Sequence, residues 1–272
     1  MSFSELLSYF FTHKDFLPDA SELPGTMFTP MHFAFAGVLL VIIVASALII
    51  AKKSEKTMQV AMGIAWAVVT VGEIIKIVWE STTGTVIGMP WDSLTPLYPC
   101  SIFMYAMPFA IWGHGKVRYA ACGYVCSLGL LGGSINFVYP ATVLGEYSCF
   151  SLAGFQTFFY HGAMVFCAII MLKSGYHSYK EARRLSDLIL PAIPALIVSI
   201  PANFMNFTRE YSDFMFFKLK SLFFAPIGEA LPMAVCVLIV YVIYLIIHAL
   251  PYLPCYFKNV KEAKASTDTN QE

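Results

Sequence analysis

At 272 residues, 58% hydrophobic and only 12% charged, with a mean hydropathy of +0.69, the chain is far more apolar than a water-facing domain, in which about a quarter of residues are charged. Seventeen basic and seventeen acidic side chains cancel, so no nucleic-acid partner is expected. The length holds seven spans of about 20 residues with short loops and little else; the expected fold class is an all-α membrane protein, a bundle of about seven transmembrane helices.

Residues 1–30 carry Glu5, Asp15, Asp19 and Glu22 against one Lys14, the reverse of a secretory signal. Leu6, Leu7, Phe10 and Phe11 recur at helical spacing and suit an interfacial segment. The apolar runs that follow are 33–51, 59–79, 97–112, 118–140, 153–172, 186–206 and 231–250. The third opens with Pro96 and Pro99. The sixth holds Pro191, Pro194 and Pro201, which predict a kinked or broken helix. This reading gives an extracytoplasmic leader over 1–30, a transmembrane domain over 31–257 and a disordered polar tail over 258–272.

The connections carry charge unequally. Twelve basic residues fall on one side: Lys52, Lys53 and Lys56; Lys116 and Arg118; Lys173, Lys180, Arg183 and Arg184; Lys258, Lys261 and Lys264. Lys14, Arg209, Lys218 and Lys220 fall on the other. The positive-inside rule then sets the N-terminus outside and the C-terminus in the cytoplasm, as seven spans require.

Polar residues inside spans are costly, and with this topology they gather in the outer half of the bilayer. Glu73, Lys76 and Glu80 share one face of the second span. Cys100 opens the third, Asn136 lies near the outer end of the fourth, Gln156 and His161 lie one turn apart in the fifth, and Asn203 and Asn206 end the sixth. A bland reading sets against this chamber a structural Glu73–Lys76 pair and amides that merely join helices. Cys100 has the most specific setting. It follows Pro96-Leu97-Tyr98-Pro99 and so falls at a helix start, near unpaired N–H groups and the positive end of the dipole. Those features favour a thiolate and an oxyanion, whereas membrane burial opposes them. His161 is the imidazole set deep in the outer half, and Glu73 is placed to orient it in a triad-like arrangement.

Cys122, Cys126, Cys167 and Cys236, in or beside apolar spans like Cys100, read as small buried hydrophobes, and Cys122 and Cys126 lack the partners of a metal site. No metal or cofactor is expected. His13, His32, His114, His177 and His248 read as surface or interfacial residues.

The run Pro96-Leu97-Tyr98-Pro99-Cys100 resembles a motif of the YwaF-like integral membrane family, which is similar to the eukaryotic transmembrane protein 164 acyltransferases. Three further stretches fit: Gly129 to Asn136 closing at Tyr139-Pro140, Phe155 to Gly162 with an internal His161-Gly162, and Asn203-Phe204-Met205-Asn206. Tyr98 and Pro99 depart from the family pattern, which has His and Leu there. The resemblance implies a heptahelical fold and transfer of fatty acyl chains between phospholipids, with Cys100 as acyl-accepting nucleophile and His161 as its base. On this reading Cys100, His161 and Glu73 are catalytic. Lys76, Glu80, Tyr98, Asn136, Gln156, Asn203 and Asn206 bind substrate, and the partners are membrane phospholipids or lysophospholipids. The localisation is an integral membrane one, the cell membrane if the chain is bacterial. A small-solute or proton-coupled transporter is the alternative, motivated by the proline-rich sixth span and the embedded Glu73/Lys76 pair.

Overall fold

Each of the seven apolar runs becomes helix in the computed structural model, which describes residues 3–84, 95–209, 213–219 and 225–268. We label the main helices α1 (Pro30–Ile50), α2 (Glu55–Thr83), α3 (Ile102–Trp112), α4 (Gly115–Tyr124), α5 (Leu130–Val138), α6 (Leu152–Ser174), α7 (Ile193–Thr208), α8 (Met233–Ala249) and α9 (Leu253–Asp268). No strand occurs among the described residues.

Five helical stretches are long and apolar enough to cross a membrane: α1, α2, Gly115–Leu144, α6 and Leu185–Thr208. A sixth follows if α8 and the start of α9, bent by 63°, count as one span. The third run is shorter than expected. Pro96 and Pro99 hold residues 95–100 in bends and turns, so α3 is an 11-residue helix, about 16 Å long. In place of the disordered tail expected from residue 258, α9 continues to Asp268. Large apolar side chains such as Val41 and Ile49 on α1 and Ile64, Val68 and Ile75 on α2 are more than half exposed, as lipid-facing helices require.

Local sequence explains the helix ends. Thr29 and Ser54 cap α1 and α2, accepting from His32 N and Thr57 N, and Pro30 takes the first-turn position where its missing N–H costs nothing. In the sixth run the prolines act as predicted. The chain forms Leu185–Ile189, tightens to a 3₁₀ turn at Leu190–Ala192 around Pro191, and resumes as α7 through Pro201.

The chain divides into two compact units, Met1–Thr95 with Gly129–Ile170, and Pro96–Leu128 with Met171–Glu272. In the first, Ala36, Phe137, Phe158 and Val165 form the buried centre between α1, α5 and α6. Its leader is pinned down: Leu152 N donates to Phe10 O at 2.8 Å, Cys149 N to Gly25 O at 2.8 Å and Met27 N to Leu144 O at 2.9 Å. Trp79 Nε1 donates to Phe11 O at 3.0 Å, which lays the leader over the C-terminal end of α2.

In the second unit α4 packs against α3, α7 and the 3₁₀ turn. Gly123 makes this possible, because a Cβ there would lie 2.7 Å from both Pro191 Cγ and Tyr252 Oη. A π-helical turn, Val125–Gly129, follows α4. The Tyr179 hydroxyl donates to Cys126 O at 2.5 Å, satisfying a carbonyl of this irregular turn.

Candidate functional site

The predicted site residues fall into two sets. Glu73, Lys76, Glu80, Asn136, Gln156 and His161 belong to the first unit; Tyr98, Cys100, Asn203 and Asn206 belong to the second.

In the first set the Glu73 carboxylate, 7% exposed, accepts from Lys76 Nζ at 2.8 Å and from Gln156 Nε2 at 2.6 Å. Spacing of three along α2 brings the ion pair together, and α6 supplies the amide. A carboxylate at this depth needs such partners, since an isolated charge out of water costs several kcal/mol, roughly. Glu80 lies two turns further along α2 and is half-buried.

Next to Gln156 on α6, Thr157 Oγ1 donates to Asn136 Oδ1 at 3.3 Å, and His161 Nδ1, one turn further on, lies 2.7 Å from Thr157 O. A carbonyl oxygen only accepts, so Nδ1 carries the proton and Nε2 of the neutral ring keeps its lone pair. Glu73 does not orient His161 as expected. A helical main-chain carbonyl does, because it stands one turn earlier on the same helix, while both oxygens of Glu73 are engaged by Lys76 and Gln156. Gly133 brings α5 against this spot: a Cβ there would lie 2.9 Å from His161 O.

In the second set Cys100 stands in the turn before α3, immediately ahead of its cap residue Ser101. Cys100 therefore precedes the helix instead of lying in its first turn, and the donors there are less available. Ser101 N, Phe103 N and Met104 N bond the carbonyls of Tyr98, Cys100 and Ser101 at 2.9 Å, 3.0 Å and 3.1 Å, because the proline-led turn winds tightly. The Tyr124 hydroxyl donates to Pro99 O in a short bond, which fixes the peptide leading into Cys100. The ring of Tyr98 packs on Phe214 and Phe216, with centroids 5.4 Å and 5.9 Å away, and burial pushes its phenol up from the usual value. Asn206 holds Phe214 in place, donating from Nδ2 to its carbonyl at 2.8 Å and accepting its N–H at 2.9 Å. Asn203 donates to Tyr241 Oη at 2.9 Å, and its Oδ1 is buried without a partner among the described residues.

A profile of the TMEM164 family matches residues 27–258. The chain belongs to the TMEM164 family. No curated protein and no solved structure matches it. The matched stretch spans all ten predicted site residues of this TMEM164-family protein, and with the apolar helices it makes the chain a multi-pass membrane protein.

Three histidines expected at surfaces are instead buried. His32 bonds Phe137 O at 3.2 Å, His177 bonds Tyr252 Oη at 2.6 Å, and His248 bonds Ser127 Oγ at 2.6 Å. His248 is 0% exposed, and its Nε2 has no partner among the described residues. The Ser127–His248 and Tyr124–His248 contacts (the latter with ring centroids 5.5 Å apart) were not readable from a lone histidine near the end of an apolar run. A small hydroxyl at Ser127 and a tyrosine three residues earlier supply the one sequence signal, a polar stripe on α4 and the π turn. No group of three or more His, Cys, Asp or Glu suited to a metal occurs among the described residues.

Proposed function

We propose that this TMEM164-family protein is a cysteine-dependent acyltransferase acting on the acyl chains of membrane phospholipids. The observation that carries the reading is Cys100 itself. It is half-buried, set at the mouth of a membrane helix, and its preceding carbonyl is clamped by Tyr124. A thiol held in this way attacks an acyl ester carbonyl; the lysophospholipid alcohol leaves, and the acyl chain remains as a thioester. Attack by the hydroxyl of an acceptor lysophospholipid then releases the chain and restores the thiol. The thiol proton must pass to a base and return to the leaving alcohol, and His161, with its Nε2 lone pair, is the residue we assign to that exchange. Glu73, Lys76 and Gln156 form one polar cluster, which with Glu80 and Asn136 we assign to substrate binding; Tyr98, Asn203 and Asn206 carry the same assignment in the second unit. The distribution of Lys and Arg supports an N-terminus outside, which opens this chemistry toward the outer leaflet.

The test is transfer of labelled acyl chains between phospholipids by purified protein in lipid. Cys100→Ala is expected to lower transfer on the order of a thousandfold or more. Wild-type protein is expected to carry label that neutral hydroxylamine releases. Undiminished transfer by folded Cys100→Ala overturns the proposal.

A further inference from the structure

The second helix of the bent pair has a surface the acyl-transfer reading does not use. After α8 the chain crosses three residues, about 10 Å at full extension, and turns by 63° into α9. Such a bend suits a helix that leaves the membrane core and runs along its surface. Its packing is settled on one side. Tyr256 lies against Ala182, Leu188 and Tyr252, and Asn259 Nδ2 donates to Lys180 O at 3.0 Å and Ala182 O at 2.8 Å.

The opposite face is exposed, and its residues come at spacings of three, four and seven: Pro254, Phe257, Lys258 and Lys261. Phe257 is 63% exposed. Asn259 ties the Lys180–Ala182 main chain to the packed side of α9, and Lys180, Arg183, Arg184 and Leu185 of that segment are exposed. Five exposed cations and two large exposed apolar side chains, Phe257 and Leu185, thus lie on α9 and the segment tied to it. Of the nearby acids, Asp187 is occupied with the main-chain N–H groups of Arg183 and Arg184, each at 2.9 Å. Glu262 lies 3.8 Å from Lys258, and Glu181 is exposed. Positive charge remains in surplus.

Basic residues on this side are also what topology alone requires. The added observations are the bend, the Asn259 tie and the aromatic set among the cations, which together describe an interfacial helix. We infer that α9 and the Lys180–Leu185 segment form one docking surface for anionic phospholipid headgroups of the leaflet in which α8 ends. Phe257 and Leu185 enter the acyl boundary, and the five cations take up phosphates.

The experiment uses full-length protein in nanodiscs of phosphatidylcholine, with or without phosphatidylglycerol, and follows amide hydrogen exchange over residues 253–263. Each lysine or arginine near an anionic surface contributes roughly a fivefold preference. Exchange is therefore expected to slow at least tenfold, roughly, in the anionic discs, and the slowing should vanish in high salt. Lys258→Gln with Lys261→Gln, or Arg183→Gln with Arg184→Gln, should remove much of it. Equal exchange in both discs, or slowing that high salt leaves intact, overturns the inference, and this comparison needs only the wild-type chain. Acyl transfer is not read in this assay, so its failure leaves the acyltransferase proposal standing, and the converse holds.

Discussion

The hydroxyl of Tyr124, on a ring with 0% exposure, donates to the carbonyl of Pro99, the peptide that delivers Cys100 to the start of α3. Replacing Tyr124 with Phe keeps the ring and strands that carbonyl. Loss of about 1–3 kcal/mol of stability is expected. A second effect should appear at the thiol: the alkylation rate of Cys100 by a membrane-permeant maleimide should change, while that of Cys255 stays as in the wild type. Cys255 is half-buried near the start of α9 and serves as the internal reference.

Gln156 and Glu73 make the next prediction. Gln156→Leu removes the donor 2.6 Å from one carboxylate oxygen and puts an apolar group of similar size beside it. A cost of about 2 kcal/mol is expected, read as a lower midpoint in thermal unfolding in detergent. Adding Glu73→Gln should deepen the loss, because the Lys76 ammonium then loses the carboxylate that stands 2.8 Å away.

Two adjacent glycines have opposite expectations. At Gly132 a Cβ meets nothing within 4 Å, whereas at Gly133 it meets His161 O at 2.9 Å and Val165 Cγ2 at 3.1 Å. Gly132→Ala should therefore be neutral or stabilising by up to about 1 kcal/mol. Gly133→Ala should cost about 1–3 kcal/mol as α5 is pushed from α6. Thermal melts of the two single variants decide this, and equal melting points would refute the close approach.

His177 gives a pH dependence. It lies in the connection after α6, 4% exposed, and burial holds its imidazole down at about 4, below the usual 6.5. The native state therefore favours the neutral ring, and the unfolded chain binds the extra proton between these values. Stability from this group is complete above about pH 6.5 and falls as pH drops toward 4, by roughly 3 kcal/mol in all. In the His177→Gln variant that part of the slope should flatten in unfolding measured across the range.

Much of the fold was legible because membrane helices announce themselves in composition. Runs of about 20 apolar residues, broken by short charged loops, needed no tertiary information to find. Pro191 and Pro99 were also readable, since each removes a donor and so marks a break or a turn. The site was legible only as residue types. Glu73 and Lys76 could be paired from spacing alone, yet Gln156 comes from 83 positions later in the chain, and nothing local specifies that approach. His248 was misread for the same reason. Its burial is decided by Ser127 and Tyr124, which reach it only through the packing of α8 on the π turn. The tail differs too. The polar stretch after Phe257 lacks a core of its own, but Asn259 and Tyr256 tie the helix to residues that no local pattern joins to it.

The interleaving of the two units bears on how the protein is made. The first takes residues up to Thr95 and then Gly129–Ile170, and the second takes Pro96–Leu128 and then Met171 onward. Neither is finished in one pass of synthesis. Glu73 leaves the ribosome 83 residues before Gln156, so the early hairpin of α1 and α2 enters the bilayer with a carboxylate whose α6 donor does not yet exist. At about 5–20 residues per second, that wait lasts several seconds. A stop anywhere before Ile170 leaves both units open at once.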